Sequence, residues 1–319
     1  MPREKKTPYE SLLDQIKIIS GKSAVDYIKI LETARLGLRQ EDLAYDSHTL
    51  LKLSYLNYYL GVFLPIAAHG KEKGKFDKII FIDAFGGGGI LGIKGTGYSV
   101  LGSTLLAATA RTRNASFDEI ISIDLDNKRS DLLQKRCNLL GLSNVTALNG
   151  NVNDLITEVP NKFGISSKSI VMLFIDPEGM EPEFSKFVSL SQTTQYMDIM
   201  LNYTFGVRRL NGRIQYNNNS KDIEKMRNMI PNYVSGSDPD DRLATYFESQ
   251  FGKPKSKKVE IRNNGRTMYS IILRVRQTYG DSKWIEAMNK FGDYISKTDG
   301  SNALQMLMTV MGDQGTLPL

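Results

Sequence analysis

Residues 78–92 read KIIFIDAFGGGGILG: a run of large apolar residues, an aspartate, then four consecutive glycines. A short apolar run of this kind bounded by glycine predicts a buried strand. Glycines directly behind it predict a turn at the carboxyl end of the strand, where a ligand approaches the backbone because no Cβ stands in the way. Gly87, Gly89 and Gly92 also satisfy G-x-G-x-x-G, so a nicotinamide dinucleotide is one candidate ligand. A glycine turn without any ligand is the plain alternative.

Working outward, further strand-like runs follow: EIISID (119–124), VTALNG (145–150), SIVMLFID (169–176) and MDIMLNY (197–203). Helical segments separate the first of them: STLLAATAR (103–111), NKRSDLLQKRCNLLG (127–141) and VNDLITEVP (152–160). Near-continuous apolar strands alternating with helices predict a parallel sheet covered on both faces, a doubly wound α/β domain. KKVEIRNNGRTMYSIILRVR (257–276) instead holds two β-like runs around an Asn-Gly turn and predicts an antiparallel hairpin at the end of the sheet. Upstream, YESLLDQIKII, AVDYIKILETARLGL (24–38) and HTLLKLSYLNYYLGVFLPIAAHG (48–70) carry helical spacing, the last behind an Asp46/Ser47 cap. The chain thus divides into a helical N-terminal region (1–72), the sheet domain (73–280) and a helical C-terminal segment (281–319) that contains Trp284.

Composition narrows the function. With 319 residues, 41% of them hydrophobic, the chain buries a substantial core. A lone cysteine, Cys137, excludes an internal disulfide, and His48 and His69 have no metal-ligand spacing. The start of the chain has no apolar leader, and no apolar run is expected to reach the roughly 18 residues that cross a membrane, so the expectation is a cytoplasmic protein. A net charge of +6, from 41 basic and 35 acidic residues, permits a polyanionic partner without demanding one.

Acids at the strand ends separate the candidate cofactors. Asp83 stands at the end of the first strand, where a pyrophosphate has no use for negative charge but S-adenosylmethionine, with its ammonium and sulfonium, does. Phe85, Gly86, Gly87 and Gly89 form the loop behind it. Asp124 and Asp126, after the second strand, are ribose acceptors in either case, and Asp126 reads equally well as a helix cap. The fourth strand ends in Asp176-Pro177-Glu178-Gly179. Several amino-group methyltransferases place an Asp/Asn-Pro motif there to hold the acceptor nitrogen. Three acids at three successive strand ends predict convergence on one cleft.

HTLLKLSYLNYYL, FIDAFGGGG, GSTLLA, FDEIISIDLD, GNVND, LFIDPEG and LNYTFGVRRL stand in an order and spacing that resemble the three-Cys-motif partner protein family, predicted class I S-adenosylmethionine-dependent methyltransferases. The resemblance spans about residues 48–210. It implies a seven-strand Rossmann-like methyltransferase sheet, mostly parallel with an antiparallel C-terminal hairpin, and a separately encoded cysteine-motif protein as partner. The chain departs from the family at Phe85-Gly86-Gly87, where members carry Phe-Ala-Gly, and at Gly150-Asn151, where they carry Gly-Asp. The Asn151 amide oxygen is able to accept from the adenine amino group. Glu178 and Gly179 take the places of the second proline and the stacking aromatic of the amino-methyltransferase motif.

These residues give an expected chemistry. Asp176 and the Pro177 carbonyl orient an amino acceptor, and Glu178 is either its proton acceptor or a solvated loop acid. Asn202 and Tyr203 end the fifth strand as candidate cleft residues, with Tyr203 or Phe205 as a stacking surface. Arg208, Arg209 and Arg213, together with Lys253, Lys255, Lys257, Lys258, Arg262 and Arg266 against the single acid Glu260, are either phosphate contacts to DNA or RNA or a solvated face. Three functions follow from these readings: a methyltransferase acting on an amino group of nucleic acid, an NAD(P)-binding oxidoreductase, or a catalytically silent binding subunit. Oligomeric state is not legible in the sequence.

Overall fold

The computed structural model describes residues 6–22, 45–110, 115–252, 255–275 and 283–312. Helices α1 (Pro8–Ile19) and α2 (His48–Glu72) precede strand β1 (Lys78–Asp83). Two short antiparallel strands, β2 (Ile90–Gly92) and β3 (Ser99–Leu101), lead into α3 (Ser103–Thr109). Alternation follows as expected, β4 (Glu119–Asp124), α4 (Asn127–Leu139), β5 (Val145–Asn149), α5 (Val152–Lys162) and β6 (Ser169–Ile175), and a helix not read from the sequence, α6 (Phe184–Thr193), leads to β7 (Met197–Thr204). Three helices, α7 (Phe205–Asn217), α8 (Ser220–Met229) and α9 (Pro239–Phe251), come before the hairpin β8 (Lys255–Asn263) and β9 (Arg266–Val275). Helices α10 (Lys283–Lys297) and α11 (Gly300–Met311) close the described chain. The helical segment expected over 24–38 and the lysine at 253 lie outside the described residues.

The seven main strands form one sheet in the order β5-β4-β1-β6-β7-β9-β8. The first five are parallel, and β9 runs antiparallel to both β7 and β8, so this is the mostly parallel Rossmann-like sheet with an antiparallel edge that the sequence predicts. The order reverses about β1, which places a topological switch point, and hence a crevice for ligands, at the carboxyl ends of β1 and β6. The hairpin turn has Asn264 at φ 50° and Gly265 at φ 71°, the paired left-handed conformation of a type I′ turn.

Both faces of the sheet are buried. Along β1, Ile79 and Phe81 enter one core while Ile80 and Ile82 enter the other. That alternation explains why the strands read as unbroken apolar runs rather than as polar–apolar repeats. Helix α1 packs on α2, α10 and α11, and those three pack on β8, so the two helical segments at the ends of the chain meet on one face.

Two expectations about α2 require correction. Contrary to the sequence reading, this 25-residue helix is long and apolar enough to cross a membrane, but 72% of its most apolar window is buried inside the protein. Its apolar residues run around most of the helix because most of it is covered. The expected cap is also not made by a side chain: Ser47 has helical backbone angles, and its hydroxyl donates to Asn263 Oδ1 at 3.3 Å instead.

Candidate functional site

The glycine loop is moulded against β4 and α4. Gly86 donates its N–H to the Ile123 carbonyl at 2.9 Å, and an added Cβ there would lie 1.8 Å from Ser122 Oγ. Gly87 has φ 61° and donates to Asp124 Oδ2 at 2.9 Å. Gly92 lies in β2, and the following helix begins only at Ser103. The dinucleotide fingerprint requires its third glycine where a helix opens, and that context is missing.

Asp83 lies deeper than the other two strand-end acids. Its carboxylate is fully buried behind the loop and is not part of the cleft wall. Oδ2 accepts from Ser103 Oγ at 2.6 Å and Thr104 Oγ1 at 2.7 Å, the first two residues of α3. Burial pushes its pKa up to about 6, against the pull of those two hydroxyls. Asp83 therefore ties the strand end to the helix start.

The other acids do meet at a cleft of about 1380 Å³ along the carboxyl edge of the sheet, bordered by Phe85, Gly87, Asp124, Asp126, Asn151, Asp176, Pro177, Glu178 and Asn202 among others. Asp124 accepts from Gly87 with one oxygen and from the Asp126 N–H, at 2.8 Å, with the other. A carboxylate has about four acceptor positions, so capacity is left for a ligand hydroxyl. Asp126 caps α4 through Lys128 N at 2.8 Å, and Asn151 caps α5 through Asn153 N at 2.9 Å. Both therefore act as caps while standing at the cleft.

At the other end of the cleft, Asp176 Oδ1 accepts from Asn202 Nδ2 at 2.7 Å, and Oδ2 accepts from Lys52 Nζ at 2.5 Å. Lys52 comes from α2 and is 8% exposed. Its ammonium also lies 5.7 Å from the centre of the Tyr269 ring, an added attraction for a cation. His48 packs edge-on against that ring and reaches the same cleft; burial, then the nearby Lys52 charge, holds its pKa below the usual histidine range. His48 Nδ1, Asn202 Oδ1 and Tyr269 Oη are buried and have no hydrogen-bond partner among the described residues. Buried polar atoms of this kind normally find one. Glu178 is 87% exposed on its side chain and faces Arg129 at 3.8 Å.

Sequence reasoning missed His48, Lys52, Arg129 and Tyr269. For Lys52 a signal existed, a lone charge inside the apolar run HTLLKLSYL. Two candidates point elsewhere. Strand alternation turns Tyr203 into the opposite core, leaving Phe205 as the aromatic at the cleft, and Arg208 turns outward to pair with Asp240 at 3.0 Å. Arg209 does stand at the cleft. On the hairpin, Lys257 pairs with Asp293 at 2.5 Å, Lys258 with Asp240 at 2.7 Å and Arg262 with Glu260 at 2.9 Å. Acids from other elements thus balance Lys257 and Lys258, which look uncompensated in sequence.

The sequence matches no protein-family model and no curated protein. Among solved structures it is similar to an O-methyltransferase from Bacillus cereus in complex with SAH, with 12% identity, 86% of this chain and 94% of that one covered, and a TM-score of 0.39. It is also similar to Trm1 from Pyrococcus horikoshii with S-adenosyl-L-methionine, at 9% identity, 82% and 61% coverage and a TM-score of 0.44. A third is the O-methyltransferase TomG from Streptomyces achromogenes in complex with SAM, at 12% identity, 78% and 96% coverage and a TM-score of 0.39. Likenesses this slight carry no argument about the reaction, which rests on the cleft itself.

Proposed function

We propose that this protein is an S-adenosylmethionine-dependent methyltransferase whose cofactor lies over the glycine loop and whose acceptor enters beside Asp176. The observation that carries the reading is the Asp83–Ser103–Thr104 cluster. A carboxylate already bonded at the start of the helix after the glycine loop opposes the binding of an anion at that point. A pyrophosphate is thereby disfavoured, whereas a ligand bearing an ammonium and a sulfonium is not. The absence of a helix start at Gly92 supports the same conclusion.

The residues present fit such a cofactor. Gly87 leaves the strand edge open, Asp124 has free acceptor capacity for ribose hydroxyls, and Asn151 stands just beyond β5, where an adenine amino group would find an acceptor. When bound, S-adenosylmethionine supplies an electrophilic methyl group. The protein's part is then mainly placement, with Asp176 held by Lys52 and Asn202 so that its carboxylate orients the acceptor. The proposal includes membership of the three-Cys-motif partner family, with a separately encoded cysteine-motif protein as partner and a cytoplasmic setting.

Calorimetric titration of the full chain with S-adenosylhomocysteine, S-adenosylmethionine, NAD and NADP tests the cofactor. Saturable binding of the first two alone is expected. Binding of NAD or NADP without S-adenosylhomocysteine would instead establish the oxidoreductase reading.

A further inference from the structure

We propose that the face of α7 bordering the cleft binds a single-stranded nucleic acid, so that the methyl acceptor is a nucleotide of that strand. This deepens the methyltransferase reading and rests on it. Phe205, Arg209 and Arg213 follow one another at four-residue steps and all three border the cleft. Tyr216, one further turn along, is 90% exposed. Such spacing puts the four side chains on one face of the helix, an aromatic–cation–cation–aromatic stripe about 16 Å long. Lys225 of α8 borders the same part of the cleft.

The electrostatics differ from those of the hairpin. Lys257 and Lys258 are neutralised by acids, whereas Arg209 and Lys225 have no ion-pair partner among the described residues. Arg213 is held by Asp222 at 2.9 Å and keeps 62% of its side chain exposed. Rings flanking exposed cations suit a strand whose bases are unstacked and whose phosphates lie alongside, because every base presents a π-face. A duplex hides those faces. The cleft of about 1380 Å³ extends from the residues proposed for the cofactor to this stripe.

Fluorescence anisotropy of the full chain with labelled 20-nucleotide single-stranded RNA and DNA of mixed sequence tests this, using an unlabelled duplex as competitor. Binding to a single strand at about 50 mM salt is expected, with a log–log salt slope that flattens by roughly 0.7 for each cation removed in Arg209→Ala and Lys225→Ala. Tyr216→Ala should weaken binding about tenfold or more while leaving the slope unchanged. All three side chains are exposed, and thermal unfolding of each variant should match that of the parent. A protein that binds S-adenosylhomocysteine but neither strand, one that prefers the duplex, or one indifferent to these substitutions would overturn the inference and leave the methyltransferase reading standing. Failure to bind S-adenosylhomocysteine would instead count against that reading itself.

Discussion

Lys52, on a helix that precedes the sheet in sequence, donates to Asp176 at the carboxyl end of β6 across 2.5 Å, with side chains only 11% and 17% exposed. The contact joins the N-terminal region to the motif that should receive the acceptor. Placed beside Asn202, Tyr269 and His48, it makes α2 part of the cleft and not merely a cover for the sheet.

Removing one partner should expose the value of the pair. Lys52→Met leaves Asp176 poorly compensated and is expected to cost about 2–3 kcal/mol, below the 3–5 kcal/mol of a fully buried pair because some solvent reaches it. Asp176→Asn in the same chain should recover part of that loss. Denaturant titration of the four proteins gives the coupling, and a value near zero would show that the pair contributes nothing.

Stability should also report on Asp83. Its pKa is raised from 3.8 to about 6, so the folded state binds this proton more tightly than the unfolded state. The contribution is fully present below pH 3.8 and is lost as pH rises through about 6. Relative to Asp83→Asn, wild-type stability should therefore fall by on the order of 3 kcal/mol between about pH 4 and pH 7. Parallel pH profiles for the two proteins would mean that the carboxyl is not titrating in this range.

Gly86→Ala tests the moulding of the loop. The added Cβ would lie 1.8 Å from Ser122 Oγ, so β4 or the loop must move. A loss of about 1–3 kcal/mol is expected, as for other overpacked sites. Ser122→Ala in the same chain should restore much of it by removing the clashing oxygen, as measured by thermal unfolding.

Asp124 and Asp126 should separate by role. Asp126→Ala removes a helix cap and should lower stability by about 1 kcal/mol, while Asp126→Asn keeps most of it. Asp124→Ala is expected to weaken S-adenosylhomocysteine binding by roughly 10- to 100-fold, the equivalent of losing a hydrogen bond to a charged group. Calorimetry on the folded variants distinguishes the two.

The strands β1, β4, β5, β6 and β7, the hairpin and its Asn-Gly turn were legible in the sequence, because local composition and periodicity depend on neighbours along the chain, whereas the short pair β2 and β3 was not. The positions of Asp124 and Asp176 at the cleft were legible too, since a residue at a strand's carboxyl end in such a sheet has little choice of surroundings. Direction and partnership were decided otherwise. How Asp83 is held depends on Ser103 and Thr104, and whether Tyr203 or Phe205 borders the cleft depends on where the strand stops alternating and α7 begins. The β8 lysines find their ion-pair partners in Asp240 and Asp293, and Asp176 finds its own in a lysine of α2. Those contacts join residues far apart in the chain. They exist only because packing helices against the sheet brings those residues side by side, and so they were decided by the tertiary structure.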